Sequence, residues 1–331
     1  MAAFTADHRL PSGTGTGYDS AAQERALRHD LPLSGFRPIG HQLKRGTYVE
    51  LGQEATQEDA EAQAQEVWQA NEKAAMIDTP FGQQFIVDGH LHFLSRVFVT
   101  QLGSAAGIRD EPAKHVCNKL EWQLPPEDPV DLGRQWLQEL DEHGVDRAVL
   151  LHTLPGDVAS VAEAMATRPS RFAAYVMINP DESTAVENLK KAVDEQAFCG
   201  VTLFPAMHGF DLTSEAVWKV FELANEKHLT VFVHCGMLKV GFRKALGIRS
   251  TFDITQSNPL HLQRAAAEFS NIRWIIPHLG SGMLRELLML ADSCPNVYTD
   301  TSGIDGWARY VTGPGGSVSP EDCLKHVLDV L

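Results

Sequence analysis

The chain has 331 residues, of which 44% are hydrophobic and 21% are charged, a composition that excludes wholesale disorder and is sufficient for a large core. It carries 28 Lys and Arg against 43 Asp and Glu, which gives a formal net charge of −15 at pH 7. This balance argues against nucleic acid or an anionic membrane as a partner, because either would require a basic face.

Residues 1–83 differ in composition from the rest of the chain. The start has no apolar stretch of the kind that a secretory signal needs, and residues 53–74 are rich in Gln, Glu and Ala, which predicts a polar, peripheral helix. We interpret 1–83 as an N-terminal extension, partly helical or disordered, and 84–331 as the folded domain.

Two further features concern the compartment. No run reaches the roughly 18 consecutive apolar residues of a membrane-spanning helix. The five cysteines are odd in number, scattered and without CxxC spacing, which is typical of free thiols in a reducing environment. We therefore expect a cytoplasmic protein.

From residue 85 onward, short apolar runs alternate with amphipathic helical segments, as in repeated βα units. The predicted strands are 85–88, 147–152, 172–178, 200–204, 230–234, 273–278 and 297–301. The predicted helices are 131–143, 157–166, 183–195, a segment around 217–224, 258–269, 283–292 and 319–330. The strands are apolar almost throughout, which is typical of a parallel sheet buried on both faces.

Seven successive βα units fit either a doubly wound sheet or a barrel. No GxGxxG turn follows the first strand, which weakens the doubly wound, dinucleotide-binding alternative. Polar residues instead collect at the C-terminal ends of the strands, where barrel enzymes have their active sites. The sequence therefore predicts an α/β fold, a TIM-like (β/α)8 barrel that lacks the eighth strand.

The first strand leads into Asp88-Gly-His90-Leu-His92. Two histidines at i and i+2 project to the same face of a strand, so both imidazoles can reach one ion. His234 and His278 end two further strands, and each is followed within two residues by a glycine. Four histidines at the ends of three strands indicate a metal site, because unpaired imidazoles in a core would be costly.

These motifs, together with VYTDTSG at 297–303, resemble the amidohydrolase superfamily. The resemblance is closest to its amidohydrolase-related branch, which contains the aminocarboxymuconate-semialdehyde decarboxylase-like hydrolases and decarboxylases, and it covers about residues 84–331. It implies one divalent metal, usually zinc with manganese as the alternative, held by His90, His92 and His234. A single metal is expected, because the fourth strand carries no bridging Lys or Glu.

The resemblance also implies a role for His278 as the acid/base or substrate-polarising residue beside the metal. The family supplies an Asp from an eighth strand, and here the last predicted helix is followed only by Leu331. Two alternatives remain open: Asp300 substitutes for that carboxylate, or the chain is a truncated, noncatalytic barrel remnant. Asp88 either orients an imidazole or holds a backbone turn.

A metal with an open position lowers the pKa of bound water to about 7 and polarises carbonyl groups. Hydrolysis and nonoxidative decarboxylation both follow, so we expect a hydrolase or a carbon–carbon lyase. The expected substrate is a small, anionic, carboxylated compound that can be aromatic. Related barrels often form homodimers, which makes a homodimer one candidate, and the sequence leaves the oligomeric state open.

Clues to the substrate contacts are fewer. Arg243 lies in a basic segment after the fifth strand and is the expected partner of a substrate carboxylate. Residues 93–129 are long enough to form a lid, in which Arg96 and Trp122 are the expected contacts. His152 and His208 follow strands and either line the pocket or make local hydrogen bonds.

Overall fold

The computed structural model describes residues 77–79, 82–310, 312–313, 316–317 and 319–330. The predicted polar helix at 53–74 lies outside the described residues, and the division at residue 83 stays a prediction. A short antiparallel hairpin of β1 (Ile77–Thr79) and β2 (Gly82–Gln84) spans that division, and the sequence did not predict it.

The remaining elements follow in chain order. The strands are β3 (Val87–Phe93), β4 (Arg147–His152), β5 (Phe172–Met177), β6 (Gly200–Leu203), β7 (Thr230–Val233), β8 (Arg273–Ile276), β9 (Val297–Thr299), β10 (Thr312–Gly313) and β11 (Gly316–Ser317). The helices are α1 (Arg96–Ala105), α2 (Pro112–Leu120), α3 (Pro129–Glu142), α4 (Val158–Ala166), α5 (Ala185–Gln196), α6 (Pro205–His208), α7 (Glu215–Glu226), α8 (Gly241–Ala245), α9 (Gln263–Glu268), α10 (Leu284–Ser293), α11 (Ile304–Trp307) and α12 (Pro320–Val330).

Strands β3 to β9 form one parallel sheet in which each strand pairs with its neighbours in the chain. The order never reverses, so the doubly wound alternative is excluded. The sheet is also curled, because His90 on β3 and Asp300 just after β9 approach to 2.8 Å. In a flat sheet, six strand spacings would separate these two edges by about 29 Å. The structure is therefore a TIM-like barrel that contains, among the described residues, no eighth strand.

The two faces of the curled sheet pack differently. The outer face joins the surrounding helices in the main hydrophobic core. The inner face forms a small cluster inside the barrel, built from Val149, Leu151, Ala173, Tyr175 and Phe232. Because both faces are covered, β4 to β7 are buried along their full length, which explains their continuous apolar sequences.

Most predicted strands agree with the structure to within one or two residues, and two predictions needed correction. The first strand does not end at Asp88 but runs from Val87 to Phe93, with a shift in its pairing between Asp88 and Leu91. The predicted helix 258–269 is a 3-10 turn at Pro259–Leu262 followed by α9. Polar strand ends and proline-led turns carry little periodicity, so the sequence signal was weakest at these places.

The segment predicted to form a lid contains α1 and α2. Their apolar faces form a separate core with Phe242 and Leu246 from the loop after β7, and Leu154 from the loop after β4 packs against it. Three loops that follow barrel strands are thus joined at the C-terminal end of the barrel. No sequence pattern indicated this shared core, because its members lie far apart in the chain.

No described helix combines the length and the apolar composition that a bilayer span requires. The five cysteines are free thiols, as the sequence predicted.

Candidate metal centre

Four imidazoles meet at the C-terminal end of the barrel. The ring centroid of His90 lies 5.0 Å from that of His92 and 4.9 Å from that of His278, and His278 lies 5.0 Å from His234. The edge of the Phe232 ring packs against His90 from inside the barrel at 4.9 Å. The structure therefore brings together all four histidines that the sequence selected from three different strands.

The irregular pairing of β3 with β4 positions the side chain of His90. The carboxylate of Asp88 accepts a hydrogen bond from the backbone N–H of His90 at 2.9 Å. Of the two roles considered for Asp88, the structure shows the backbone turn. This local turn places His90 and His92 with their Nε2 atoms facing each other at 3.3 Å.

The tautomer of His92 follows from its neighbour. Thr153 Oγ1 donates its single proton to the carbonyl of Leu151 at 2.9 Å and lies 3.1 Å from His92 Nδ1. The arrangement that satisfies all three groups has Thr153 donating to this carbonyl and accepting from His92, which puts the imidazole proton on Nδ1. The Nε2 atom of His92 is then a lone-pair donor.

Asp300 connects the first and the sixth barrel strands. Its Oδ2 atom accepts a hydrogen bond from His90 Nδ1 at 2.8 Å. Its Oδ1 atom accepts from the backbone N–H groups of His278 and Ser302 at 2.9 and 3.0 Å. The Ser302 hydroxyl also donates to Oδ1, at 2.5 Å. Burial opposes ionisation, but the hydrogen bond and charge of His90 and the charge of His278 hold the pKa of Asp300 well below its usual range. The carboxylate is therefore ionised and fixes the proton of His90 on Nδ1.

His278 has the same proton placement. Its Nδ1 donates to the carbonyl of Ser302 at 2.7 Å, which leaves Nε2 for a ligand or for proton transfer. The backbone of His278 is left-handed, with φ of +58°, and Leu279 and Ser281 share this conformation at +49° and +48°. Non-glycine residues rarely adopt it, and such strain concentrates at functional sites.

Glycines permit the close approach of the loops beneath these rings. Gly236, two residues after His234, has φ of +75°, and a Cβ atom there would lie 2.1 Å from the carbonyl oxygen of Gly280. Gly280 itself follows His278 by two residues and also has φ of +75°. Both glycines that follow the strand-end histidines therefore have the left-handed backbone that a tight turn requires.

The pKa values favour neutral imidazoles. Burial, followed by electrostatic repulsion from the neighbouring imidazoles of His90 and His278, lowers the pKa of His92 to about 3. Burial also holds the pKa of His234 well below its usual value and lowers that of His278. Neutral imidazole is the form that binds a metal ion.

The donor set fits a metal ion. Two Nε2 lone pairs that face each other at 3.3 Å repel unless a cation lies between them, and tetrahedral zinc with Zn–N bonds of about 2.0–2.1 Å places two nitrogen ligands about 3.4 Å apart. In addition, Nδ1 of His234 is buried with no hydrogen-bond partner among the described residues. The ring of His234 adjoins that of His278 at 5.0 Å, and its unpartnered nitrogen is available to a ligand.

A second group of side chains is also a candidate for binding a metal ion. The ligand atoms of His90, His278 and Asp300 lie within 4.8 Å of one another. However, the Ser302 hydroxyl lies within 2.5 to 3.0 Å of all three residues and satisfies them. The space among these groups is therefore filled by a hydroxyl, and we favour the Nε2 side of His90 and His92 as the metal position.

Arg243, the predicted partner of a substrate carboxylate, contacts neighbouring residues of the protein. Arg243 donates from Nη2 to the carbonyl of Arg249 at 3.2 Å, and its guanidinium group lies over the ring of Phe252 at 5.4 Å. Its Nε atom is buried with no partner among the described residues. A role for Arg243 in binding the substrate stays a prediction.

Arg96 and Trp122, which were predicted to contact the substrate from the lid segment, make contacts with other protein residues. Arg96, the first residue of α1, donates from Nε to the carbonyl of Pro125 at 2.7 Å and lies 3.8 Å from Glu127. Trp122 packs edge-on against Phe242 at 5.4 Å. These contacts hold the loops together, and substrate contact by either residue stays a prediction.

His152 and His208 lie near the site without joining the cluster. His152 Nδ1 accepts from the backbone N–H of Met177 at 3.1 Å, which is the local hydrogen bond that we considered. His208 packs near Phe204, with the ring centroids 6.5 Å apart, and its Nδ1 is buried without a described partner.

Sequence reasoning missed two small polar residues and an aromatic ring. The Thr153 hydroxyl and the Ser302 carbonyl accept from imidazole Nδ1 atoms, and Trp307 on α11 lies 5.9 Å from the His278 ring. Ser302 stands within a motif that we identified, but its type and position are those of an ordinary turn residue. The only signal for Thr153 was its position directly after a strand.

A parallel barrel with histidines gathered at the C-terminal ends of its strands defines the class of metal-dependent barrel enzymes. Within this class the chain belongs to the amidohydrolase family, since residues 87–328 match that family. Members of the family are metal-dependent hydrolases and decarboxylases. No curated protein is matched significantly by the sequence.

Solved structures with a similar fold include three enzymes or probable enzymes. The first is 5-carboxyvanillate decarboxylase from Novosphingobium aromaticivorans, with 16% identity over 74% of this chain and 82% of that chain and a TM-score of 0.47. The second is 2,6-dihydroxybenzoate decarboxylase from Rhizobium, with 17% identity over 75% of this chain and 91% of that chain and a TM-score of 0.45. The third is a probable 2-pyrone-4,6-dicarboxylic acid hydrolase from Acinetobacter baumannii, with 17% identity over 75% of this chain and 78% of that chain and a TM-score of 0.45. At these identities the likeness concerns the fold alone.

Proposed function

We propose that this chain is a mononuclear metal-dependent enzyme that hydrolyses, or nonoxidatively decarboxylates, a small carboxylated compound. His90, His92 and His234 hold the divalent ion, with zinc or manganese as the candidates, and His278 transfers protons. The substrate is anionic and its carbon skeleton can be aromatic. The proposal combines family membership with the geometry of the four imidazoles.

The observation that carries the proposal is the pair of Nε2 atoms 3.3 Å apart. Each ring of the pair has its Nδ1 proton fixed by a protein acceptor, His90 by Asp300 and His92 by Thr153. This is the outer-shell arrangement that orients histidine ligands in metalloproteins. A pair of unoccupied lone pairs would have no physical reason to face each other so closely.

His278 is suited to proton transfer for two reasons. Its Nδ1 proton is held by the Ser302 carbonyl, and its ring adjoins those of both His90 and His234, so Nε2 is the nitrogen left for acid/base work. Nε2 of His278 can therefore take a proton from an attacking water, or give one to the carbon that loses carbon dioxide. The bound metal supplies Lewis acidity to both reactions.

The first test is the metal content of each chain, measured by elemental mass spectrometry on protein purified without added metal. We expect about one zinc or manganese ion per wild-type chain and its loss in His90→Ala, His92→Ala and His234→Ala. His326→Ala, which changes an exposed histidine on α12, is the matched control. Wild-type protein that contains no metal and takes up none would refute the proposal and favour a noncatalytic barrel.

The second test separates the two reactions. Aromatic carboxylates are assayed for carbon dioxide release, and carboxylated lactones for ring opening, with His278→Asn as the variant that keeps the proposed ligands. We expect His278→Asn to retain metal and to lose turnover of whichever substrate the wild type accepts. Equal turnover by wild type and variant would remove His278 from the mechanism.

A further inference from the structure

We infer that Thr153 is a positioning residue of the metal centre: its hydroxyl fixes His92 in the tautomer that exposes Nε2 to the ion. The inference rests on the proposed metal centre but concerns a residue outside the histidine motifs. It depends on three features of Thr153, namely its strand position, its two hydrogen bonds and its stiff side chain.

The strand position aims the hydroxyl at His92. On β4, Leu151 pairs in register with His92 of β3, and its side chain belongs to the cluster inside the barrel. Residues two apart on an extended chain share a face, so Thr153 continues the same inward row to the rim of the barrel. The intervening His152 faces the other way and accepts from Met177.

The two hydrogen bonds define a direction. A hydroxyl has one proton, and Thr153 commits it to the Leu151 carbonyl at 2.9 Å, so toward His92, 3.1 Å away, it presents a lone pair. His92 must then carry its proton on Nδ1. With the opposite tautomer, the Thr153 lone pair would meet the lone pair of Nδ1, and the proton on Nε2 would point at His90 and block the metal position.

The side chain is well suited to hold this geometry. Thr153 is β-branched, so its χ1 angle has few accessible values, and the backbone carbonyl two residues earlier fixes the hydroxyl within them. Valine has the same shape without the acceptor, whereas serine keeps the acceptor without the methyl group. These two substitutions separate the hydrogen bond from the packing.

The first experiment measures zinc affinity by competition with a chromophoric chelator on the full-length chain. Loss of an outer-shell partner costs about 10–100-fold in metal affinity, so we expect Thr153→Val to bind zinc about 10–100-fold more weakly than the wild type. Thr153→Ser should stay near the wild-type affinity. Val binding as tightly as wild type, or Ser binding as weakly as Val, would overturn the inference. Thermal unfolding checks that both variants fold.

The second experiment reads the tautomer without metal. In metal-free protein labelled with [15N]histidine, the two ring nitrogens of His92, assigned by their loss in His92→Asn, report which one carries the proton. We expect a proton on Nδ1 in the wild type and in Thr153→Ser, and a mixture of tautomers in Thr153→Val. An unchanged tautomer in Thr153→Val would refute the inference, even if the wild type bound no zinc and the proposed function had failed.

Discussion

Replacement of Asp300 by asparagine gives the sharpest test of the metal centre. The side chain keeps its shape, and the remaining amide oxygen can still accept from the backbone N–H groups of His278 and Ser302 and from the Ser302 hydroxyl. The amide nitrogen, however, then faces Nδ1 of His90, where the carboxylate now accepts at 2.8 Å. His90 can restore this hydrogen bond only by moving its proton to Nε2, which is the proposed ligand atom.

The size of the effect follows from the bond that is lost. A hydrogen bond to a charged partner contributes about 1.5–3 kcal/mol, and about 1.4 kcal/mol corresponds to a tenfold change in a binding constant. These values, and the usual cost of removing an outer-shell carboxylate, predict that zinc binds Asp300→Asn about 10–100-fold more weakly. The fold should survive, because three of the four hydrogen bonds remain.

The assay is a competition titration with a chromophoric zinc chelator, run beside circular dichroism to confirm folding. Asp211→Asn is the matched control, since that exposed carboxylate accepts from the backbone and hydroxyl of Thr213, which an amide oxygen can also do. We expect wild-type affinity in the control. A folded Asp300→Asn protein with unchanged zinc affinity would show that this carboxylate does not set the His90 tautomer.

Three further outcomes test the fold around the site. Gly236→Ala should lower the free energy of unfolding in urea by about 1–3 kcal/mol, because Gly236 has φ of +75° and a Cβ atom there would lie 2.1 Å from the Gly280 carbonyl oxygen. Gly241→Ala is the control and should be nearly neutral, since a Cβ atom at Gly241 meets open space. Similar losses of stability in the two variants would contradict the close approach at Gly236. Burial lowers the pKa of His152 to about 4 from about 6.5 in the unfolded chain, so the unfolded state binds more protons between these values. His152 therefore contributes about 3 kcal/mol of stability above about pH 6.5, and this contribution is lost as the pH falls through 4. In metal-free protein, His152→Asn should reduce the change in unfolding free energy over this pH range by about this amount. An unchanged pH profile of the unfolding free energy would contradict the assignment. Phe232→Ala removes a fully buried ring beneath the first imidazole and should cost about 3–5 kcal/mol in thermal unfolding, more than Phe232→Leu; equal costs would argue against tight packing there.

The strands were predictable because their ends coincide with changes in polarity. Residues 147–152 were assigned without error, since an apolar run buried on both faces stops where the chain reaches the rim of the barrel. The first strand was misjudged at its end, because Gly89 and His90 resemble a turn in sequence. In the structure they continue as strand, and the carboxylate of Asp88 stabilises the irregularity.

The core that α1 and α2 share with other loops, and the outer partners of the histidines, were beyond prediction for a different reason. The core shared by α1, α2 and Leu246 joins segments far apart in the chain, so no local periodicity reveals it. Likewise, the roles of Thr153 and Ser302 depend on which ring nitrogen they meet. Strand-end position identified the histidines, but only the assembled barrel shows how each imidazole is oriented.

Asp300 connects these two levels of structure. The sequence left open whether it substitutes for the family's eighth-strand carboxylate, and in the structure it accepts a hydrogen bond from His90 Nδ1. The same bond joins the loop after β9 to β3, the two outermost strands of the curled sheet. One contact thus serves both the closure of the described barrel and the orientation of the first proposed ligand, and the Ser302 hydroxyl supports it at 3.0 Å from His90 Nδ1. A bound ion that favours the Nδ1 tautomer of His90 should therefore also hold the two sheet edges together, and zinc should slow hydrogen exchange along β3 in the wild type but not in Asp300→Asn.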